Sequence, residues 1–334
     1  MKAELKPGFG HERVELHKHL PLETPFTLHI ASSTICNFKC KYCVHSLDKS
    51  NFEKRGFNTS VMNWDIFTLA IEQAKEFKQK FKMVSLTGIG EPLCNKMLPE
   101  MIKYIKDSNI TESIEFITNA SLLNRETSIK LVDSGLDRIR ISIQGLTSDK
   151  YEEVCGVRLD IEQLLSEIKF LYDNRKDCKI FIKTVDIALT ENEDKDFYDM
   201  FGDISDRIFI EKIRPAFHGV DYSNLIKGKK VIDRYGNEHD ERLICPQAFF
   251  AIAVWPNGEM YPCDMIDNPI SLGNIKEVSI KDAWNGESRK HFLRMQLNKD
   301  RMSNEICKNC CSPNDVSQPE DELDQYADKL KSFF

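Results

Sequence analysis

Phe26-Thr-Leu-His-Ile-Ala31 is closely followed by Cys36-Asn-Phe-Lys-Cys40-Lys-Tyr-Cys43. The first stretch reads as a short strand. The second sets three thiols within eight residues, in the loop at that strand's C-terminal end. Iron–sulfur clusters are held by cysteine thiolates. Three ligands on a four-iron cube leave one iron without a protein ligand, and an open metal position is where a substrate or cofactor binds. The same residues would also suit a zinc loop lacking its fourth ligand, or thiols buried by chance. His45 is the near candidate for that fourth ligand, and its spacing from Cys43 suits a tetrahedral site poorly.

Outward from this loop, strand and helix patterns alternate. Residues 63–80 predict a helix capped by Asn63, and 83–87 a buried strand ending in glycines. Helices follow at 97–107, at 124–133 (stopped by Gly135) and at 160–173 (capped by Asp160), with another short one from Phe197. Strands fall at 113–118, 137–143, within 179–189 and at 207–213. Six strands alternating with helices imply parallel pairing and right-handed crossovers. An open doubly wound sheet and part of a barrel both satisfy the pattern. In either, ligand groups sit at the C-terminal strand ends.

The character changes near residue 215. Residues 215–240 are polar, include the small basic loop Lys227-Gly-Lys-Lys230, and read as a connection. Two extended runs around Pro256-Asn257-Gly258 predict a β-hairpin. Short helices are expected at 279–284 and 287–297, and an exposed terminal helix at 320–334.

Composition bounds the function. The chain has 334 residues, 41% hydrophobic and 30% charged, which is globular. At roughly 150 residues per domain, about two domains are expected. Lys+Arg 46 against Asp+Glu 53 give −7, spread without long blocks, which argues against a nucleic-acid partner. The longest apolar stretch, 248–255, is eight residues long. A membrane helix needs about 20. The N-terminus is charged and lacks an apolar h-region, so a cytoplasmic location is expected. Eleven cysteines in such a chain point to metal or redox chemistry rather than disulfides.

A second set of thiols is Cys245, then Gly258-Glu-Met-Tyr-Pro-Cys263, then Cys307-Lys-Asn-Cys310. Four cysteines from separated segments fit a closed tetrathiolate site, holding either an iron–sulfur cluster or structural zinc. Cys94, Cys155 and Cys178 read as buried or incidental thiols.

The C-x3-C-x2-C spacing, with Tyr42 just before the third cysteine, resembles the signature of the radical S-adenosylmethionine (SAM) family. The resemblance implies an α/β fold, a partial (β/α)6 barrel over residues 26–215. It also implies a [4Fe–4S] cluster on Cys36, Cys40 and Cys43, whose fourth iron is chelated by SAM. In that family an injected electron cleaves SAM to a 5′-deoxyadenosyl radical, which takes a hydrogen atom from the substrate. Gly88-Ile89-Gly90-Glu91-Pro92 resembles the family's Gly-Gly-Glu-Pro segment, which implies that Gly90 and Glu91 bind the SAM amine. Glycine permits close backbone approach, and a carboxylate accepts from an ammonium. Asn119, Ser142 and Gln144 end the third and fourth strands, where the family places polar contacts to the SAM ribose or carboxylate. Gln144 stands at an often acidic position. Tyr42 is expected near the adenine.

The later cysteines resemble the SPASM/twitch auxiliary-cluster domains. Only Cys311 follows Cys310, which implies one auxiliary [4Fe–4S] cluster on Cys245, Cys263, Cys307 and Cys310, with Cys311 as an alternative to Cys310. A fully ligated cluster suggests electron transfer. The expected organisation is an N-terminal extension (1–25), the core (26–215), a connection (216–240), a small α+β auxiliary domain (241–315) and a C-terminal helix (316–334).

The resemblance implies an oxidoreductase of the dehydrogenase type, acting on a small alcohol or carbohydrate, with the auxiliary cluster accepting an electron. The alternatives are a peptide maturase and a sugar epimerase. About 25 residues precede the first strand, too few for a leader-binding winged domain, which favours a small-molecule substrate. A reductant such as flavodoxin or ferredoxin is the expected partner. Glu211, Arg214, His218, Asp186 and Tyr222 are candidates for the base or an orienting group. Arg214 is the first choice for holding a substrate or SAM oxygen bidentately. For an epimerase, Cys155 and Cys178 are candidate hydrogen donors.

Overall fold

The computed structural model describes every residue except 9–12, 49, 51–58, 227–231, 239, 265–266 and 316–317. The basic loop at 227–230 lies outside the described residues. The strands are β1 (Glu4–Leu5), β2 (Thr27–Ile30), β3 (Met83–Ser85), β4 (Ile114–Thr118), β5 (Arg138–Ile143), β6 (Lys179–Val185), β7 (Arg207–Glu211), β8 (Ala251–Val254) and β9 (Met260–Tyr261). They form one open sheet in the order β1-β7-β6-β5-β4-β3-β2-β8-β9. From β2 to β7 each strand pairs in parallel with the next, as six βα units predict.

The helices between the strands start where the sequence supplies caps. In α1 (Trp64–Ala74) the Asn63 side chain accepts from Ile66 N. After α2 (Leu98–Ser108), Asn124 opens α3 (Arg125–Asp133) by accepting from Thr127 N. Each such cap stabilises by about 1 kcal/mol. Ile139, Ile141 and Ile143 of β5, with Ile180 and Ile182 of β6, form one continuous buried core with apolar residues of the helices, including Phe67, Ile71, Met101 and Leu131.

Several elements differ from expectation. Helix α1 ends at Ala74 because Phe77 turns in to pack edge-on against Phe81, with centroids 5.2 Å apart. A helix α4 (Ser148–Cys155) was not anticipated. Thr147 caps it and Gly156, at φ +71°, ends it. Helix α5 (Ile161–Asn174) is capped by Asp160 as expected. Helix α6 (Asp194–Phe201) begins three residues before Phe197, where a helix was expected to start.

The hairpin forms, with Ala253 opposite Tyr261 and Gly258 at φ +86° in the turn. Yet β8 also pairs in parallel with β2, so the hairpin extends the barrel's sheet rather than opening a separate one. It is preceded by a turn of helix, α7 (Gln247–Phe250), and followed by α8 (Ile280–Asn285) and α9 (Glu287–Leu297).

The C-terminal segment is not one exposed helix. It consists of short turns and α11 (Ala327–Lys331), following α10 (Ser312–Asp315). Leu323, Ala327 and Leu330 recur at helical spacing and are buried with Phe292, Leu293 and Leu297 of α9. Leu16 and Leu20, from the expected N-terminal extension, complete that second core.

Candidate active site and auxiliary metal centre

The loop carrying Cys36, Cys40 and Cys43 is clamped by backbone on two sides. Gly90 N donates to Ser33 O at 3.2 Å, and Glu91 N to Ile35 O at 2.8 Å. A Cβ at Gly90 would stand 2.3 Å from Ile35 O, and one at Gly88 2.6 Å from Ser33 O. Only glycine lets this turn press against the residues leading into Cys36. Across the loop, Lys39 N and Lys41 N donate to the carbonyls of Cys155 and Val154, at 2.9 and 2.8 Å. These carbonyls belong to the end of α4, where a helix leaves acceptors unsatisfied.

Side chains complete the clamp. Glu91 is buried and accepts three hydrogen bonds: from Leu93 N at 3.0 Å, Thr118 Oγ1 at 2.6 Å and Asn119 N at 2.7 Å. Burial raises its pKa, and these three donors oppose the rise. The carboxylate thus ties the glycine turn to the end of β4. Asn119 Nδ2 donates to Asn37 Oδ1, inside the cysteine loop, at 2.9 Å. Tyr42 donates its hydroxyl to Gln144 Oε1, beyond β5. Tyr222, in the connection, donates to the Tyr42 carbonyl at 2.8 Å. Ser142 is half-buried beside Lys183 in the β5–β6 register. Gly90, Glu91, Asn119, Gln144 and Tyr42 therefore gather around one loop at the C-terminal ends of β2 to β5, while Ser142 lies on β5 beside Lys183.

The three thiols are soft donors in a partly desolvated loop. Burial pushes Cys36 and Cys43 up to about 12. Cys40 is raised first by its hydrogen bond to the Cys155 thiol, 3.5 Å away, and then by burial. His45 approaches Ile89 O at 3.2 Å through its ring Nε2, so its ring engages the glycine turn. Among the described residues no three His, Cys, Asp or Glu side chains converge as metal ligands do. The soft donor set and a glycine cradle that a single Cβ would break are what fit this loop to a cluster.

Below the loop, the sheet face turned away from the helices is charged. Arg140 pairs with Glu115 at 3.0 Å, and Lys183 with Glu211 at 2.7 Å. Burial alone would raise Glu211, but Lys183 and Arg234 outweigh it and hold the carboxyl below its ordinary range. Arg234, from the connection, stands 3.9 Å from Glu211 and grips Asp315 through Nε at 3.2 Å and through Nη2. Arg214 Nε lies 3.9 Å from Asp315 and is buried without a hydrogen-bond partner.

Two of the expected orienting groups are thus in this network. The others are not. His218 is exposed on the connection. Asp186 accepts from Ile213 N at 3.0 Å, securing backbone beyond β7. Cys178 precedes β6 at its N-terminal end, opposite the cysteine loop, so it is misplaced for a hydrogen donor.

Sequence reasoning missed Arg140, Lys183, Glu115, Arg234 and Asp315. A signal existed: β5 reads Arg-Ile-Arg-Ile-Ser-Ile. Strands buried on both faces of a parallel sheet read as nearly continuous apolar runs. Charges alternating with isoleucine therefore mark a polar interior.

The second thiol set lines one pocket. Its walls include Cys245, Cys263, Cys307, Cys310, Gln296 and Arg301. Burial pushes Cys245 and Cys307 up to about 12. Four soft donors on one cavity suit a tetrathiolate cluster. Cys311 is not on that wall. Burial raises its thiol first, then the charges of Asp315 and Cys310, with Arg234 and Arg214 opposing.

The sequence model of the radical SAM superfamily matches residues 30–201, just over half of the chain. The chain belongs to the radical SAM superfamily. A second model, described as an iron–sulfur cluster-binding (SPASM) domain, matches residues 245–311. This radical SAM enzyme therefore takes as cofactors a SAM-binding [4Fe–4S] cluster, SAM itself and an auxiliary iron–sulfur cluster.

A probable GTP 3′,8-cyclase of Metallosphaera sedula is 36% identical over 137 residues, 41% of this chain and 39% of the relative. Another, of Sulfolobus acidocaldarius, is 31% identical over 179 residues, 50% of this chain and 53% of the relative. The radical SAM chain thus spans about half the length or less of these curated relatives. SuiB of Streptococcus suis bound to S-adenosylmethionine shares the fold at a TM-score of 0.62 and 19% identity, covering 92% of this chain and 80% of that one. No helix among the described residues is long and apolar enough to cross a membrane.

Proposed function

We propose that the enzyme oxidises a small, polar, hydroxyl-bearing substrate held at the barrel mouth. When bound, SAM and its cluster supply a 5′-deoxyadenosyl radical, and the auxiliary cluster supplies an electron acceptor. In this reading Cys36, Cys40 and Cys43 hold the first cluster, and Cys245, Cys263, Cys307 and Cys310 the second. Gly90, Glu91 and Asn119 shape the SAM end of the site. Tyr42 and Gln144 fix the loop's far side, and Ser142 faces the interior.

The observation that carries the reading is one short turn. Residues 310–315 place Cys310 on the four-cysteine cavity and Asp315 in the barrel's charged network. A substrate held there is next to an oxidant. Arg214 is the group best placed to hold it, because its buried Nε, 3.9 Å from Asp315, has no hydrogen-bond acceptor of its own. Glu211, fixed between Lys183 and Arg234, stays ionised and orients the cations around it.

The test is anaerobic turnover of small alcohols and aminocyclitols with SAM and a low-potential reductant. The expected product is two hydrogens lighter than its substrate, formed one-to-one with 5′-deoxyadenosine. Deoxyadenosine formed with no substrate oxidised across that panel would reject the reading. A second reading follows the relatives' printed name, cyclisation of GTP. Arg140, Lys183, Arg214 and Arg234 outnumber Glu115, Glu211 and Asp315, which suits an anionic substrate. Four cysteines on the cavity count against it as a substrate-binding metal, since full ligation leaves no open iron. Including GTP in the panel separates the two.

A further inference from the structure

Gln296 and Arg301 stand in the auxiliary cavity without a role in the scheme above. Gln296 is fully buried on α9. Its Oε1 accepts from Cys245 N at 3.1 Å, and its Nε2 donates to Cys307 Sγ at 3.8 Å. One side chain thus grips two of the four candidate ligands. Arg301 is 4% exposed. Its Nη1 donates to the carbonyls of Cys307 and, at 3.4 Å, Cys310, while its buried Nε has no partner. Asp267 lines the same pocket, but the hydrogen bonds of Arg301 end on neutral carbonyls, and a buried cation is costly unless an anion engages it. A tetrathiolate iron–sulfur cluster is such an anion, and it gains negative charge on reduction.

We propose that Arg301 and Gln296 set the auxiliary cluster's reduction potential, raising it so that the cluster works as an electron acceptor. The cation favours the more negative, reduced state. The amide N–H does the same by withdrawing density from the Cys307 sulfur, since net charge and hydrogen bonds to sulfur are the levers on such potentials. The inference rests on the assignment of a cluster to Cys245, Cys263, Cys307 and Cys310, which the same experiment checks separately by iron content.

The experiment is an EPR-monitored redox titration of the full-length chain carrying Cys36→Ala, Cys40→Ala and Cys43→Ala, so that only the auxiliary cluster contributes. Arg301→Met is expected to lower the equilibrium constant for reduction about tenfold or more, a fall of about 59 mV for a one-electron couple. Arg301→Lys, which keeps the charge, is expected to recover most of it. Gln296→Leu should shift it severalfold in the same direction. Iron and sulfide per chain, measured on the same samples, show that each variant still holds its cluster. Should Arg301→Met lose iron, Gln296→Leu decides alone. Arg301→Met or, in its place, Gln296→Leu, holding full iron and titrating within twofold of the parent, overturns the inference. A parent without iron removes the site assignment itself.

Discussion

Cys36, Cys40 and Cys43 come from one loop, whereas Cys245, Cys263, Cys307 and Cys310 come from stretches separated by a hairpin and two helices. The first site is held together from outside: the glycine turn, the end of α4 and the Tyr42–Gln144 bond press a short loop into shape. The second is held together from inside, by a cavity with Gln296 and Arg301 in its wall. A loop clamped by its surroundings keeps one side for a ligand. A cavity walled by four thiols encloses its occupant. The proposed reading assigns the clamped loop to the cluster that engages SAM and the four-thiol pocket to an electron acceptor.

The comparison breaks most visibly at the first loop. Cys40→Ala is expected to abolish 5′-deoxyadenosine formation, measured by chromatography under reducing conditions, while auxiliary iron is retained. Next in size is the charged interior that joins the two sites. Lys183→Met leaves Glu211 buried beside a cation only 3.9 Å away, and removal of one partner of a buried pair costs about 3–5 kcal/mol.

The pH dependence of that loss has a definite sign. Glu211 is held below its ordinary value in the folded enzyme, so its contribution is complete above the ordinary carboxylate range and is lost as pH falls through the lowered value. Without Lys183, Arg234 and Arg140 alone oppose the effect of burial, so the lowering of Glu211 shrinks and the stability lost on acidification shrinks with it. Urea midpoints across the acid range check both slopes.

Gly90→Ala sharpens the outside-clamp account. Its Cβ would meet Ile35 O at 2.3 Å, so the cysteine loop must shift. SAM cleavage is expected to fall about tenfold or more, equivalent to about 1.4 kcal/mol at the barrier. Auxiliary iron should be unchanged. The smallest effect is predicted for Cys311→Ala. Cys311 is off the four-cysteine wall, so iron per chain should not change; a loss of auxiliary iron would make it a ligand in place of Cys310.

The same contrast explains what could be read from the sequence. The first thiol site is local, and so are the caps at Asn63 and Asp160, so the alternation of strands and helices was legible from the pattern, and the clamp's glycines from their resemblance to the family's segment. The pairing of β8 with β2 was not, because a hairpin signal says nothing about which strand its outer edge meets. Nor was the burial of Leu16 and Leu20 with Leu323 and Leu330, which depends on bringing both chain ends to α9. Cys155 read as a buried or incidental thiol; it is buried, and its thiol lies 3.5 Å from Cys40, an adjacency made only when α4 closes over the loop. Arg234 belongs to the stretch whose polarity read as a connection, and Asp315 to the end of the expected auxiliary domain. They become interior only when the connection folds over the barrel mouth.

The most direct test of two differently built clusters is iron and sulfide per chain after anaerobic reconstitution. It compares wild type with two variants, one carrying Cys36→Ala, Cys40→Ala and Cys43→Ala, the other Cys245→Ala, Cys263→Ala, Cys307→Ala and Cys310→Ala. About eight irons in wild type and about four in each variant is the predicted result, two cubes of four. About four irons in wild type and none in the first variant, with zinc bound to the second site, would contradict it.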